Sequence, residues 1–213
     1  MDLKEKIANT RHVWTFGCSF TKYHWKTWAD HLGDIYGKVT NCGLAGAGNY
    51  YIFQRILQEY SLGNIDRNDL IMICWTGHFR KDNKFKGHWH CYGNLAGEGP
   101  SQDYWTKDFV TNYCDPDFFL ERDLYFALAI NEIFPNVINF SMGDIGLINQ
   151  YENNRATSDP YRKKVIRLLR RFYPSFYEVL WNNEITSISN RRDKHPTEDE
   201  HKIYLQKVFD ING

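Results

Sequence analysis

The chain lacks any apolar run approaching the roughly 20 residues that cross a bilayer as a helix, so no membrane partner is expected. It also lacks a signal-peptide apolar region. The start reads Met1-Asp2-Leu3-Lys4-Glu5-Lys6, which predicts synthesis in the cytoplasm. Neither charge is in excess, since 26 basic side chains balance 26 acidic ones, and no global field draws the chain to nucleic acid. Its five cysteines contain no C-x-x-C pair, which argues for a reduced compartment without a disulfide framework. The glycine-rich turn at 43–48 lacks both the G-x-G-x-x-G order and a Gly-Lys-Ser/Thr, so no nucleotide cofactor is expected. His88, His90 and Cys91 are metal-ligating types, but no second ligand pair at zinc spacing follows and no metal is expected. There is no internal repeat and no low-complexity segment.

What is present suits one α/β domain of 213 residues. Aromatics reach 16% and sit among polar residues, a mixture that fits sugar- or protein-contacting surfaces as well as a core. After a polar lead-in (1–11), the spacing predicts strands at about 12–17, 38–42, 69–75 and 136–141, and a short one at 185–188. The strand at 69–75 is apolar on both faces, as in a parallel sheet. Between them, three- and four-residue periodicity predicts helices. One carries Trp25, Trp28, Ala29 and Leu32. A second starts with Asn49 as N-cap. A third runs from Asp115-Pro116 to about Phe134. Ser158-Asp159-Pro160 opens a basic helix to about Phe172, read as a solvated face, and Thr197-Glu198-Asp199-Glu200 is a capping box for the last helix. Residues 81–115 have no clean period and read as an aromatic-rich insertion over the sheet edge, the usual place for a lid. There Trp89, Tyr92, Tyr104 and Trp105 either stack on sugars or anchor the insertion to the core. Strands alternating with helices argue a doubly wound sheet, whose ligands bind at the carboxyl edge.

Ser19 follows the first strand at that edge. By itself it is read either as a helix cap or as a nucleophile waiting for a base. Four blocks stand in order: Gly17-Cys18-Ser19-Phe20; Asn41-Cys42-Gly43-Leu44-Ala45-Gly46; Cys74-Trp75-Thr76-Gly77; and Asp193-Lys194-His195-Pro196-Thr197. This order resembles the SGNH (GDSL-like) hydrolase superfamily, in a version similar to a branch common in tailed-phage and marine bacterial genomes. The resemblance implies a single domain over 1–213. Its fold would be a flavodoxin-like three-layer sandwich, a central parallel sheet of about five strands with helices on both faces. It implies Ser19 as nucleophile, His195 as general base and Asp193 as its orienter. The backbone N–H groups of Ser19 and Gly46 would be oxyanion donors. Such enzymes cleave acetyl or acyl esters of sugars and lipids without a metal, so the implied substrate is a small ester or an acylated glycan.

Two departures stand beside it. The family's third donor is an asparagine after the third strand, but here the block reads Thr76-Gly77-His78-Phe79, leaving Asn49, Thr76 and His78 as substitutes. The family places its acid three residues before the histidine, where this chain has Arg192, with Asp193 one position later. These departures keep a second reading open: an inactive SGNH-fold structural or glycan-binding module. It would be a phage virion component with other virion proteins as partners, in the host cytoplasm or the particle.

Overall fold

A computed structural model describes residues 3–95, 107–143, 160–181 and 193–212. Among them six strands form two sheets. The main one is four-stranded and wholly parallel: β1 (Val13–Gly17), β2 (Val39–Asn41), β3 (Leu70–Trp75) and β6 (Val137–Ser141), in the order β2-β1-β3-β6. The fifth strand expected at 185–188 lies outside the described residues. The second sheet is an antiparallel hairpin of β4 (Arg80–Phe85) and β5 (His88–Asn94).

Seven α-helices are described: α1 (Leu3–Asn9), α2 (Trp28–Tyr36), α3 (Asn49–Ser61), α4 (Lys107–Tyr113), α5 (Pro116–Ile133), α6 (Pro160–Leu169) and α7 (Glu198–Phe209). The chain steps one way from β1 to β2, then back across β1 to β3 and on to β6. Right-handed crossovers therefore put α2 on one face of the sheet and α3 and α5 on the other. The packing agrees: α2 meets α7, α3 meets α5, and α5 meets α6. The switch of direction falls between β1 and β3, where open α/β sheets leave a crevice at the strands' carboxyl ends.

Burial explains the arrangement. Every residue of β3 is buried, as its unbroken apolar run requires. On the α2/α7 face, Trp28 meets Phe140 edge-on with ring centroids 4.9 Å apart. Phe176, just before a π-helical turn at Tyr177–Trp181, stacks on Tyr204 at 3.7 Å. On the other side Val165 and Leu169 of α6 pack against Leu120 and Leu124 of α5. That packing leaves Lys163 and Lys164 outward, as a solvated basic face would.

Several expectations change. The lead-in contains α1, anchored by Leu3 and Ile7 one turn apart. α2 begins only at Trp28, capped by Thr27, whose N–H donates to Asp30 Oδ2 (2.9 Å). Trp25 is therefore outside the helix, and its indole N–H donates to Pro196 O (2.9 Å). Residues 80–94 form a hairpin closed by Lys86 and Gly87, both at positive φ (47° and 83°), the geometry of a two-residue type I′ turn. Lysine is an unusual first residue for that turn, so the sequence carried only its glycine. Trp89 packs edge-on to Tyr50 and Tyr51 of α3, an anchor to the core, while Tyr104 and Trp105 lie outside the described residues.

Candidate active site

β1 ends at Gly17 in a tight turn, with Thr21 and Lys22 both donating to Cys18 O (2.9 and 3.1 Å). A Cβ on Gly17 would lie 2.9 Å from Cys74 O and still closer to the Thr21 hydroxyl, so only glycine lets the turn close against β3. The turn presents Ser19, 7% exposed, at the carboxyl edge of the switch strand. Its Oγ lies 2.7 Å from His195 Nε2. Its hydroxyl caps no helix, because the chain after it stays non-helical until Thr27.

His195 arrives from the other end of the chain, in the loop before α7. That loop is fixed on one side by the Trp25 indole. On the other it is fixed by the capping box, in which Thr197 N donates to Glu200 Oε2 (2.7 Å). Asp193 Oδ1 meets both His195 N (3.0 Å) and His195 Nδ1 (2.5 Å). This is how an acid only two residues away reaches the ring: the Asp side chain curls over its own loop and accepts from backbone and imidazole together. A carboxylate only accepts, so it holds the proton on Nδ1 and leaves the Nε2 lone pair facing the Ser19 hydroxyl. Burial pushes the Asp193 carboxyl up. Hydrogen bonds from the His195 side chain and backbone and from Tyr23 outweigh it and hold the carboxyl below its ordinary value.

Tyr23 was not among the expected site residues. Its hydroxyl donates to Asp193 Oδ2 (2.8 Å), and its ring stacks on the imidazole with centroids 4.2 Å apart and planes 21° from parallel. Burial, followed by the contact with Asp193, pushes its phenol up to about 12. Only the non-helical turn brings it back over His195.

The Gly43–Gly48 loop lies beside β1, tied to it by Leu44 N donating to Gly17 O (3.0 Å). Gly46 takes φ 79° in a turn closed by Ala47 N and Leu44 O (3.1 Å), where glycine avoids left-handed strain. The β4–β5 hairpin holds this loop from outside. Gly93 N donates to Gly46 O (3.0 Å), and Arg80 Nη1 donates to Ala47 O (2.8 Å). The Asp82 carboxylate accepts from Gly48 N and Tyr51 N (2.8 Å each). The described part of the insertion is thus a clamp on the loop rather than a lid.

No protein-family model matches the chain, and no curated protein does. Among solved structures, a member of the lipolytic protein G-D-S-L family from Veillonella parvula superposes with a TM-score of 0.52 at 15% identity, over 94% of this chain and 97% of that one. A catalytic mutant of an acetylxylan esterase from Geobacillus stearothermophilus gives a TM-score of 0.49 at 12% identity, over 92% and 90% of the two chains. The fold is that of the GDSL/SGNH hydrolases. It gathers Ser19, Asp193 and His195 into one hydrogen-bonded chain and sets Gly46 in the adjoining loop.

None of the three substitutes for an SGNH third donor hydrogen-bonds to Ser19, Asp193 or His195 among the described residues. Asn49 is not the α3 cap, which is Gly48. Its amide donates to Thr76 O (3.0 Å) and to Asp123 Oδ2 (2.7 Å), so both of its N–H groups are committed. Thr76 N is committed in turn to Asn49 Oδ1 (2.9 Å), and its hydroxyl faces Met142 Sδ (3.9 Å). His78 lines a separate cavity of about 60 Å³ with Asp123, Leu120, Leu124 and Phe172. Burial lowers His78 below its ordinary value, and burial pushes the Asp123 carboxyl up to about 7 against its partners Arg122 and Asn49. Among the described residues no group of three or more His, Cys, Asp or Glu side chains is placed to hold a metal ion, and no helix is long and apolar enough to cross a membrane. His90 Nδ1 pairs with Tyr92 Oη (2.8 Å), and Cys91 lies on the opposite face of β5 from His88 and His90.

Proposed function

We propose that the chain is a serine ester hydrolase of the SGNH type, acting on O-acyl, chiefly acetyl, groups of a carbohydrate or similar small ester. The observation that carries this reading is the chain Ser19 Oγ–His195 Nε2 (2.7 Å), His195 Nδ1–Asp193 Oδ1 (2.5 Å) at the carboxyl edge of the switch strand. A serine hydroxyl attacks poorly until a neutral imidazole takes its proton. In the first step that proton passes to His195 Nε2, Oγ bonds to the ester carbon, and the carbonyl π pair moves onto oxygen. The backbone N–H groups of Ser19 and Gly46 receive that charge. The tetrahedral species then collapses, the bond to the alcohol breaks, and the imidazolium returns its proton to the departing alkoxide. Water repeats the cycle on the acyl-serine. Asp193 keeps the imidazole in the reactive tautomer and faces the positive charge that forms on it. The aromatic group Tyr23, His24 and Trp25 beside His195 offers ring faces to a sugar alcohol, which supports the carbohydrate half of the reading.

Hydrolysis of p-nitrophenyl acetate tests it. Ser19→Ala and His195→Ala lose on the order of 10⁴-fold or more in kcat. A fluorophosphonate labels Ser19 alone, as a mass-spectrometric adduct map reads out. Equal rates in all three proteins, with no label on Ser19, refute hydrolysis. They would favour the inactive structural or glycan-binding module, whose own mark is co-assembly with virion proteins.

A further inference from the structure

Arg80, the first residue of β4, is 8% exposed. Its guanidinium meets three acceptors, all neutral. Nη1 donates to Ala47 O (2.8 Å), Nε to Asn94 Oδ1 (3.0 Å), and Nη2 stands 3.9 Å from Met142 Sδ, a weak thioether acceptor. A guanidinium carries five N–H groups. Some of them therefore have no acceptor among the described residues. Nor does a carboxylate there reach the group. The acid on its own strand, Asp82, gives both oxygens to Gly48 N and Tyr51 N, and Asp123 is held by Asn49 and Arg122. Taking a guanidinium out of water is costly, so buried arginines are almost always paired with an anion. This one has no anionic partner among the described residues, and we read its surroundings as a place suited to negative charge.

Those surroundings connect to the Ser19 turn through two chains of contact. Ala47 follows Gly46 directly, in the loop tied to the end of β1. On its other side Arg80 faces Met142, whose carbonyl accepts from Tyr177 N (3.2 Å). The Tyr177 ring lies 6.3 Å from that of Phe20, the neighbour of Ser19. The cation thus sits between the Gly46 loop and the Tyr177 wall.

We propose that Arg80 is the electrostatic partner of the oxyanion formed when Ser19 attacks an ester. The proposal rests on the hydrolytic reading above. When the carbonyl π pair moves onto oxygen, the uncommitted N–H groups and the fixed charge of Arg80 stabilise it. The thioether neighbour competes only weakly for those donors. Two backbone dipoles and one full charge then form the anion site, in place of a side-chain amide.

The test compares wild type, Arg80→Gln and Arg80→Lys on p-nitrophenyl acetate, with thermal melting of each. An alkylboronic acid, which becomes a tetrahedral anion on serine, serves as inhibitor. Arg80→Gln is expected to lose about 100- to 1000-fold in kcat with KM little changed, and to weaken boronate inhibition in proportion. Arg80→Lys, which keeps the charge but not the fork, falls between. Guanidinium ion added at millimolar concentration restores part of the Arg80→Gln rate. Should Arg80→Gln not fold, Arg80→Lys carries the test through its kcat and boronate affinity. Near-wild-type kcat in the variants overturns the proposal, as does a loss confined to KM or to melting temperature, which would make Arg80 a clamp on Ala47 only. Fluorophosphonate labelling of wild-type Ser19 separates the two readings. With Ser19 labelled, such results remove Arg80 and leave the hydrolase. With Ser19 unlabelled and no ester cleaved, both fall.

Discussion

Asp82→Ala probes the clamp that holds the Gly46 loop. In the native protein the Asp82 carboxylate accepts from Gly48 N and Tyr51 N at 2.8 Å each, the N-cap and N3 positions of α3. Both donors are in buried residues, and Asp82 itself is buried. Alanine removes the acceptor and leaves two N–H groups out of water, at about 1–3 kcal/mol each before any water enters. It also removes negative charge from a helix N-terminus, about 0.3–1 kcal/mol. A net loss of about 3 kcal/mol follows, allowing for a water that recovers part of one bond. For a domain of this size each kcal/mol moves the melting temperature by about 2–4 °C, so a fall of about 6–12 °C is expected. Asp82→Asn keeps one acceptor and falls between. Far-UV circular dichroism melts and urea titrations at neutral pH read both variants. Ester hydrolysis should fall with them, because the Gly46 turn loses its outer support. An Asp82→Ala protein within about 0.5 kcal/mol of wild type would refute the reasoning, since that is the range of substitutions that touch nothing.

Other outcomes follow from the same geometry. Burial holds the His201 imidazole down to about 3, against 6.5 when free. The unfolded chain therefore takes up a proton that the folded one refuses, and stability drops as pH falls from 6.5 toward about 3. The slope is at most about 1.4 kcal/mol per pH unit, and His201→Phe should flatten it in urea titrations across that range. Tyr23→Phe keeps the stack on His195 but loses the bond to Asp193 Oδ2. Its kcat should drop about 2- to 10-fold at nearly constant KM, as loss of one hydrogen bond of about 0.5–1.5 kcal/mol implies. Gly46→Ala forces a side chain onto φ 79° and puts its Cβ 2.5 Å from Cys91 O. A loss of about 2 kcal/mol or more is expected in thermal melts, with hydrolysis reduced further than the melts explain.

The central strand β3 was legible because burial on both faces leaves a continuous apolar run at Leu70–Trp75. The long helix α5 was legible for a related reason. Its Asp115-Pro116 start and its buried Leu120, Leu124, Ala127 and Ile130 repeat a single period. The hairpin was not. Its β4 strand reads Arg80-Lys81-Asp82-Asn83-Lys84-Phe85, and the residues that matter in it, Arg80 and Asp82, are polar and buried only because the Gly46 loop supplies their partners. Asn49 misled for the opposite reason. Its type suits a helix cap, yet a buried backbone at Thr76 needed both a donor and an acceptor, and the side-chain amide supplied both.

Sequence by itself determined the alternation of strands and helices and the edge at which Ser19 stands. Each of these is a local matter of period or turn chemistry. Tertiary structure alone decided that the imidazole meets the hydroxyl 2.7 Å away across 176 positions of chain, that Tyr23 covers it, and that Arg80 is buried against Ala47, next to Gly46. Those facts depend on which side chains the packed sheet leaves facing one another, and no one-dimensional pattern encodes what a buried polar group finds as its neighbour.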